Sequence, residues 1–245
     1  MSPDLLWIVA GGLIGGFVNG LSGFGMAIVA MPLWLQALAP ANAASMAAIL
    51  AVVAHLQSIS IVFHSMDVRR LTPFIVAGVL GIPVGTWLLT TIDEATFRFW
   101  IGAVIVLYCV VMLSGKVRLT FNAGRIADAI VGFGGGVMGG LSGLSGALPA
   151  MWAGVRRWTK AEQRAVFQPY NMSILAVTIV AHAVAGLFTT DLIWALAAAL
   201  PAVLVGTHVG KRLYHRLGDH HFDRVVLAIL LFAGVVLIVT TITHS

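Results

Sequence analysis

Six stretches of the sequence carry no charged side chain over about the length of a membrane-spanning helix. They cover residues 43–63, 71–91, 99–115, 166–188, 192–210 and 225–243. About 20 apolar residues cross the ~30 Å hydrocarbon core of a bilayer as an α-helix. Only 9% of the residues are charged, whereas soluble domains carry about 25%. The pattern predicts an all-α, polytopic membrane protein embedded in a lipid bilayer.

A glycine-rich segment near the start of the chain recurs near its middle. Residues 12–25 read GLIGGFVNGLSGFG and residues 132–145 read GFGGGVMGGLSGLS. At an offset of 120 the two segments share the tetrapeptide GLSG and several further glycines. Internal repeats of this kind are common in transporters. We therefore predict two halves, residues 1–118 and 119–245, that together form one membrane domain.

The positive charges indicate how the two halves are oriented. If each glycine-rich segment crosses the membrane once, the Lys and Arg residues divide 5 to 9 between the two sides. If each segment enters, turns and returns to the same side, 13 lie on one side and only Arg98 on the other. Cytoplasmic loops are enriched in Lys and Arg, so the second arrangement is favoured. It predicts two inverted repeats, each a re-entrant broken-helix hairpin followed by three transmembrane helices.

The same arrangement predicts where the loops, ends and hairpin tips lie. The basic side is expected to be cytoplasmic and both ends of the sequence extracytoplasmic. Residues 5–36 are too many for one crossing and too few for two, so we expect arms of about 15 residues that reach about 22 Å. The tips are expected near residues 19–25 and 139–146.

The polar residues at the predicted tips point to an anion site. Irregular backbone at membrane depth is tolerated only where it is buried in protein or lines an aqueous cavity. A helix that restarts after a break presents free N–H groups and the positive end of its dipole. We expect serines to cap the returning arms, and the glycines ahead of the tips mainly to permit close helix packing. The candidate tip residues are Asn19, Ser22, Gly23, Ser142, Gly143 and Ser145.

Polar side chains within the other spans are further candidates for the site. Such residues usually face the protein interior and mark functional sites, although hydrogen bonding between helices is the simpler explanation for any one of them. A neutral histidine can also donate to an anion or carry a coupled proton. The candidates are His55, Gln57, Gln168, Asn171 and His182.

The sequence carries no nucleotide-binding motif and no cluster of residues with metal-ligand spacing. We therefore expect no cofactor, no bound metal and no nucleic-acid partner. A coupling proton or ion is left open, and so is the oligomeric state.

The quoted segments are similar to a known family. The openings GGFVNGLSGFG and GGVMGGLSGLSG, each followed by three spans, resemble the sulfite exporter TauE/SafE family of membrane transporters. The resemblance covers essentially the whole chain. It implies a secondary transporter in the bacterial inner membrane, an exporter of small sulfur-containing or organic anions such as sulfite or organosulfonates.

Two other functions remain open on the sequence alone. GLSG resembles the nucleophile motif of rhomboid intramembrane serine proteases, with His182 as the base that activates the serine. Its occurrence at two symmetric positions disfavours that reading, because catalysis needs one nucleophile, and no enzyme is expected. A passive anion channel is the nearer alternative.

Overall fold

The computed structural model describes residues 3–58, 68–114, 124–156 and 158–214, together with eight helical positions between 231 and 242. The predicted span 225–243 lies mostly outside these residues. The described secondary structure is α-helical, and the prediction of an all-α polytopic membrane protein is confirmed. The helices are α1 (Pro3–Ser22), α2 (Met26–Trp34), α3 (Pro40–Ser58), α4 (Val68–Thr91), α5 (Glu94–Ser114), α6 (Gly124–Ser142), α7 (Ala147–Val155), α8 (Lys160–Val184) and α9 (Thr190–Tyr214).

Five of the described helices are long and apolar enough to cross a membrane: α1, α3, α4, α5 and α9. Four of them coincide with predicted uncharged runs. Helix α8 covers most of a fifth run, residues 166–188, but it also carries charged residues in its first turns. Five of the predicted uncharged runs therefore coincide with long helices, namely α3, α4, α5, α8 and α9.

Each glycine-rich segment forms a helical hairpin. Helices α1 and α2 are antiparallel, with the indole N–H of Trp34 donating to the Ile8 carbonyl at 3.1 Å. Helices α6 and α7 are antiparallel as well, and the Trp152 indole donates to the Asp128 carboxylate at 2.9 Å. The first arms, α1 and α6, have 20 and 19 residues, whereas the returning arms, α2 and α7, have only 9 each. The prediction of equal arms of about 15 residues was wrong.

Close packing of the long arms against other helices explains this asymmetry. Helix α1 lies along α9 and helix α6 along α4, and these are the two most extensive helix contacts. A Cβ added to Gly16 would stand 2.6 Å from the Val203 carbonyl oxygen, and one on Gly140 would meet that of Ile82. The predicted packing role of these glycines is confirmed. Because the contact continues to the last turn of each long arm, the chain turns late.

The contacts also give the helix directions. Residue numbers rise together along α1 and α9 and along α4 and α6, so each pair is parallel. Helices α3 and α8 are antiparallel, because Ser45 contacts His182 and Ser58 contacts Gln168. One end of the bundle is therefore shared by the ends of α1, α3 and α9 and the starts of α4, α6 and α8.

The basic residues gather at that shared end. Arg70 pairs with Glu162 at 3.4 Å, and Arg156 with Asp128 at 2.8 Å. The Lys211 ammonium donates to the Gln57 carbonyl at 3.2 Å. Arg98 lies at the opposite end, where it pairs with Glu94. The described cations thus follow the division that the charge pattern predicted.

The best-buried part of the bundle surrounds the breaks in the two hairpins. Helix α2 is buried along almost its whole length, as is most of α3. Helices α4, α5 and α9 instead expose large apolar side chains such as Leu80, Trp100 and Trp194, which suits contact with lipid. The short returning arms are therefore interior elements rather than lipid-facing spans.

Candidate anion-binding cavity

The two hairpin tips lie on either side of one small cavity. It has room for about one water molecule. Helices α3 and α8 complete its wall. The lining residues are Asn19, Gly25, Met26, Ala27, Ile28, Ala51, His55, Gly143, Leu144, Ser145, Gly146, Asn171 and Leu175.

The walls contributed by α3 and α8 occupy matching positions of the repeat. Ala51 and His55 lie one turn apart on α3, and Asn171 and Leu175 follow at an offset of 120 on α8. The positions correspond but the chemistry does not, because each helix presents one polar and one apolar side chain in opposite order. The two helices therefore present different hydrogen-bonding groups to the cavity at matching positions of the sequence repeat.

The start of α2 supplies backbone donors to this cavity. Gly25 precedes the helix with φ 90° and no side chain caps it. The first bond of the helix type runs from the Val29 N–H to the Gly25 carbonyl at 3.2 Å. The N–H groups of Met26, Ala27 and Ile28 come before that bond and have no partner within the helix. Residues 25–28 all line the cavity, where the positive end of the helix dipole favours an anion.

The start of α7 offers fewer donors. The Ala147 N–H already donates to the Leu144 carbonyl at 3.2 Å. The third residue of the helix is Pro149, which has no N–H. On this side polar side chains take over: the Ser145 hydroxyl donates to the Asn171 side-chain oxygen at 2.9 Å.

Asn19 is the most informative residue of the cavity. Its side chain is fully buried, and neither of its amide atoms has a hydrogen-bond partner within the described part of the chain. The Nδ1 atom of His55, which is 1% exposed, likewise has none among those residues. A buried polar group without a partner costs about 1–3 kcal/mol. Both side chains line the cavity, so a ligand there can provide the missing bonds.

The two tip glycines, Gly23 and Gly143, both have a left-handed backbone conformation. Gly23 has φ 79° and Gly143 has φ 73°, a region that other L-residues enter only at a cost. Gly143 lines the cavity, and a Cβ there would stand 2.9 Å from the Ala47 Cβ. Gly23 lies behind the wall, against the Arg164 side chain.

The serines of the two GLSG segments do not cap the returning arms, contrary to the sequence prediction. The Ser22 hydroxyl donates to the Val18 carbonyl at 2.7 Å. The Ser142 hydroxyl donates to the Met138 carbonyl at 3.0 Å. Each serine thus bonds the preceding turn of its own helix, a common alternative to capping. Neither is part of the cavity wall.

Three further candidates also lie outside the cavity wall. Gln168 donates to the Ser58 hydroxyl at 3.0 Å, and Gln57 donates to the Leu204 carbonyl at 3.3 Å. His182 lies between the Ser45 hydroxyl at 3.0 Å and the Gly140 carbonyl at 2.8 Å. These side chains connect helices around the cavity.

Arg164 was not among the candidate site residues from the sequence, where it counted only as one of the 13 basic residues on the cytoplasmic side. It is only 3% exposed. Its guanidinium donates to the carbonyls of Gly20 and Leu21 at 3.2 and 3.3 Å, in the last turn of α1. A signal was present: Thr159 and Glu162 form a capping box, a pattern that marks a helix start. It puts Arg164 inside α8.

Among the described residues no group of three or more His, Cys, Asp or Glu side chains is arranged to hold a metal ion. The groups that face the cavity are instead hydrogen-bonding side chains and backbone N–H groups, which suit an anion.

A helical membrane protein in which two broken helices bring their tips to one buried polar cavity has the architecture of a secondary transporter. The family model described as sulfite exporter TauE/SafE matches residues 8–237, and the chain belongs to that family. It is therefore a multi-pass membrane anion transporter, as the glycine-rich segments suggested. Neither the curated proteins nor the solved structures contain a significant match to it.

Proposed function

We propose that the chain exports small sulfur-containing anions such as sulfite or organosulfonates, and binds them in the cavity between the hairpin tips. The observation that carries this proposal is Asn19, a buried amide that faces the cavity without a partner among the described residues. A sulfur oxyanion has acceptor oxygens that can take the amide N–H bonds and those of the α2 N-terminus.

Among the residues that the structure describes, no Lys, Arg, Asp or Glu lines the cavity wall. A fixed charge at membrane depth is expensive to desolvate, whereas neutral donors and a helix dipole avoid that cost. They also hold an anion less tightly, which favours its release on the far side. In this proposal His55 donates a hydrogen bond, and Ser145 and Asn171 complete the ligand shell.

The cavity is too small for a sulfur oxyanion beside its present lining. The structure then corresponds to a contracted state, and the tips must separate to admit the anion. We propose that residues 1–118 and 119–245 are inverted repeats that move against each other in this step. The opposite directions of α1 and α6 support the proposal, since one runs towards the basic end and the other away from it.

The proposed orientation follows the charges. The basic end, with Arg70, Arg156 and Lys211, would face the cytoplasm of a bacterium, and both ends of the sequence would lie outside it. Export would then carry the anion from the basic end to the end that holds Arg98.

Asn19→Leu tests the site, because affinity and stability should change in opposite directions. Replacing a partnerless buried amide by an apolar group of similar size should leave the melting temperature unchanged or higher. Loss of its bond to a charged ligand should weaken sulfite affinity by about 10- to 100-fold, or ~1.5–3 kcal/mol. Calorimetry and thermal melting on the same purified protein measure both.

Thr178→Val is the matched control. The Thr178 hydroxyl is also buried and partnerless within the described chain, but it does not line the cavity. This variant should gain stability in the same way and keep wild-type affinity. Unchanged affinity in Asn19→Leu, or an equal loss in Thr178→Val, would contradict the proposed site.

The structure gives no support to the protease alternative. The hydroxyls of Ser22 and Ser142 donate to carbonyls of their own helices, and His182 contacts Ser45 instead. A channel differs from a transporter in how its rate depends on substrate concentration. For a transporter, the rate of sulfite transport into vesicles should saturate at the sulfite concentration that saturates binding in the cavity.

A further inference from the structure

Both hairpins are held to α8 at the same point of the repeat. Gly20 and Gly140, which are 120 residues apart, lie in the last turns of α1 and α6. The Gly20 carbonyl accepts from the Arg164 guanidinium at 3.2 Å. The Gly140 carbonyl contacts the His182 Nε2 atom at 2.8 Å. One helix thus binds both tips through side chains of different acid–base character.

The last turn of a helix carries the negative end of its dipole, and a cation there is stabilising. An arginine is charged at every physiological pH, so the tip of α1 always has its cation. A histidine is charged only when it is protonated. The tip of α6 therefore has a cation only when His182 binds a proton.

The hydrogen bonds define the neutral form of His182. A carbonyl oxygen only accepts, so Nε2 carries the hydrogen in its bond to Gly140. In the neutral ring Nδ1 then accepts, and the Ser45 hydroxyl donates to it at 3.0 Å. Protonation adds a hydrogen at Nδ1, after which the Ser45 oxygen can become the acceptor. Both partners can therefore serve the neutral and the charged ring.

We propose that His182 is the proton-binding site coupled to the transported anion. The proposal rests on the proposed function, since it assumes an anion in the cavity. Gly143 lines that cavity three residues beyond Gly140. A proton taken from water onto Nδ1 places positive charge at the end of α6, strengthens its bond to α8 and attracts the anion. By linkage the anion favours the proton to the same extent.

The charged side chains that other helices place beside α8 include Arg69 and Arg70, at the basic end of α4, and Asp191, which is exposed at the start of α9. On α3 the ionisable group nearest in sequence is His55, ten residues beyond Ser45. On α6 the buried acid is Asp128, which pairs with Arg156 at the basic end. On α8 the buried cation is Arg164, five helical turns away. Ser45 and the Gly140 carbonyl are the groups that contact the His182 ring nitrogens.

Anion affinity as a function of pH tests the proposal. Methanesulfonate is the probe, because its own charge does not change over about pH 5 to 8. The Kd of the wild-type protein should rise by about fivefold or more as the pH increases across this range. In His182→Gln the amide can still donate to Gly140 but cannot bind a proton, so the Kd should not vary. His55→Gln is the matched control and should bind more weakly while it keeps the pH dependence.

Two further measurements do not depend on that variant. His182→Arg should hold the low-pH affinity up to about pH 8, because its charge is permanent, like that of Arg164. Wild-type protein should take up protons when methanesulfonate binds, as calorimetry in buffers of different ionisation enthalpy detects. A pH-independent wild-type Kd, no proton uptake, or unchanged pH dependence in His182→Gln would overturn the proposal. No methanesulfonate binding at any pH would instead reject the proposed substrate class, and the coupling with it.

Discussion

The two hairpins share a backbone plan but present different chemistry to the cavity. In the first, α2 begins with uncapped N–H groups beside the partnerless amide of Asn19. In the second, Pro149 removes a donor, and the Ser145–Asn171 pair supplies the polarity. The first is held to α8 by Arg164 and the second by His182.

In the proposed mechanism, this difference divides one task between the two hairpins. The first hairpin has a permanent cation at its tip and the richer set of backbone donors, which suits holding the anion. The second has a titratable group at the equivalent point, which suits a response to protons. The two equal GLSG segments therefore have different proposed roles.

Replacement of the two tip glycines by leucine should have the strongest effects, and these effects should differ between Gly23 and Gly143. Leucine at either position must adopt positive φ, at a cost of about 1–2 kcal/mol. At Gly143 the new Cβ also meets Ala47 at 2.9 Å, whereas at Gly23 it meets the long Arg164 side chain at 3.1 Å. Gly143→Leu should therefore lower the melting temperature more than Gly23→Leu and abolish transport. Equal behaviour of the two variants in melting and vesicle assays would contradict the packing difference.

The serines give a smaller, graded comparison. Ser145 lines the cavity, so Ser145→Ala should weaken sulfite affinity by up to about tenfold, or ~1.4 kcal/mol. Ser142→Ala removes a bond to its own helix, and Ser22→Ala removes bonds to its own helix and to the Phe24 backbone. Neither serine lines the cavity, so each variant should change affinity by less than about twofold. Calorimetry on the three variants measures this order. A larger loss of sulfite affinity in Ser22→Ala than in Ser145→Ala would contradict this order, because it would place the Ser22 hydroxyl in the binding site.

The sequence predicted structural features that depend on neighbouring residues, but not those that depend on contacts between residues far apart in the chain. The packing glycines and the helices that coincide with uncharged runs follow from local pattern, and these predictions were confirmed. The prediction that Ser22 caps the returning arm was wrong. A hydroxyl in the last turn of a helix can instead donate to the carbonyl four residues earlier, here that of Val18. The burial of Arg164 depends on contact with Gly20, which is 144 residues away. No local pattern could reveal such a contact.

The smallest expected effect concerns the start of α8, the helix that holds both tips. The Thr159 N–H and hydroxyl donate hydrogen bonds to the Glu162 carboxylate. These bonds hold the pKa of that carboxyl below its usual value. Stability from this pair is therefore present above the ordinary glutamate pKa of about 4.3 and is lost as the pH falls through the lower folded-state value. Glu162→Gln should lower the melting temperature slightly at neutral pH, and the difference from wild type should shrink in acid. A difference that grows in acid would reverse the assigned sign.

The location of the bound anion shows whether the cavity between the tips is the binding site. Selenite is a close analogue of sulfite, and its selenium atom can be located by anomalous diffraction from a crystal of the complex. Selenium is expected between the tips, with the selenite oxygens within hydrogen-bonding distance of the Asn19 amide and the N–H groups of Met26–Ile28. Selenium bound only among the arginines of the basic end, with the cavity between the tips still closed, would contradict this expectation.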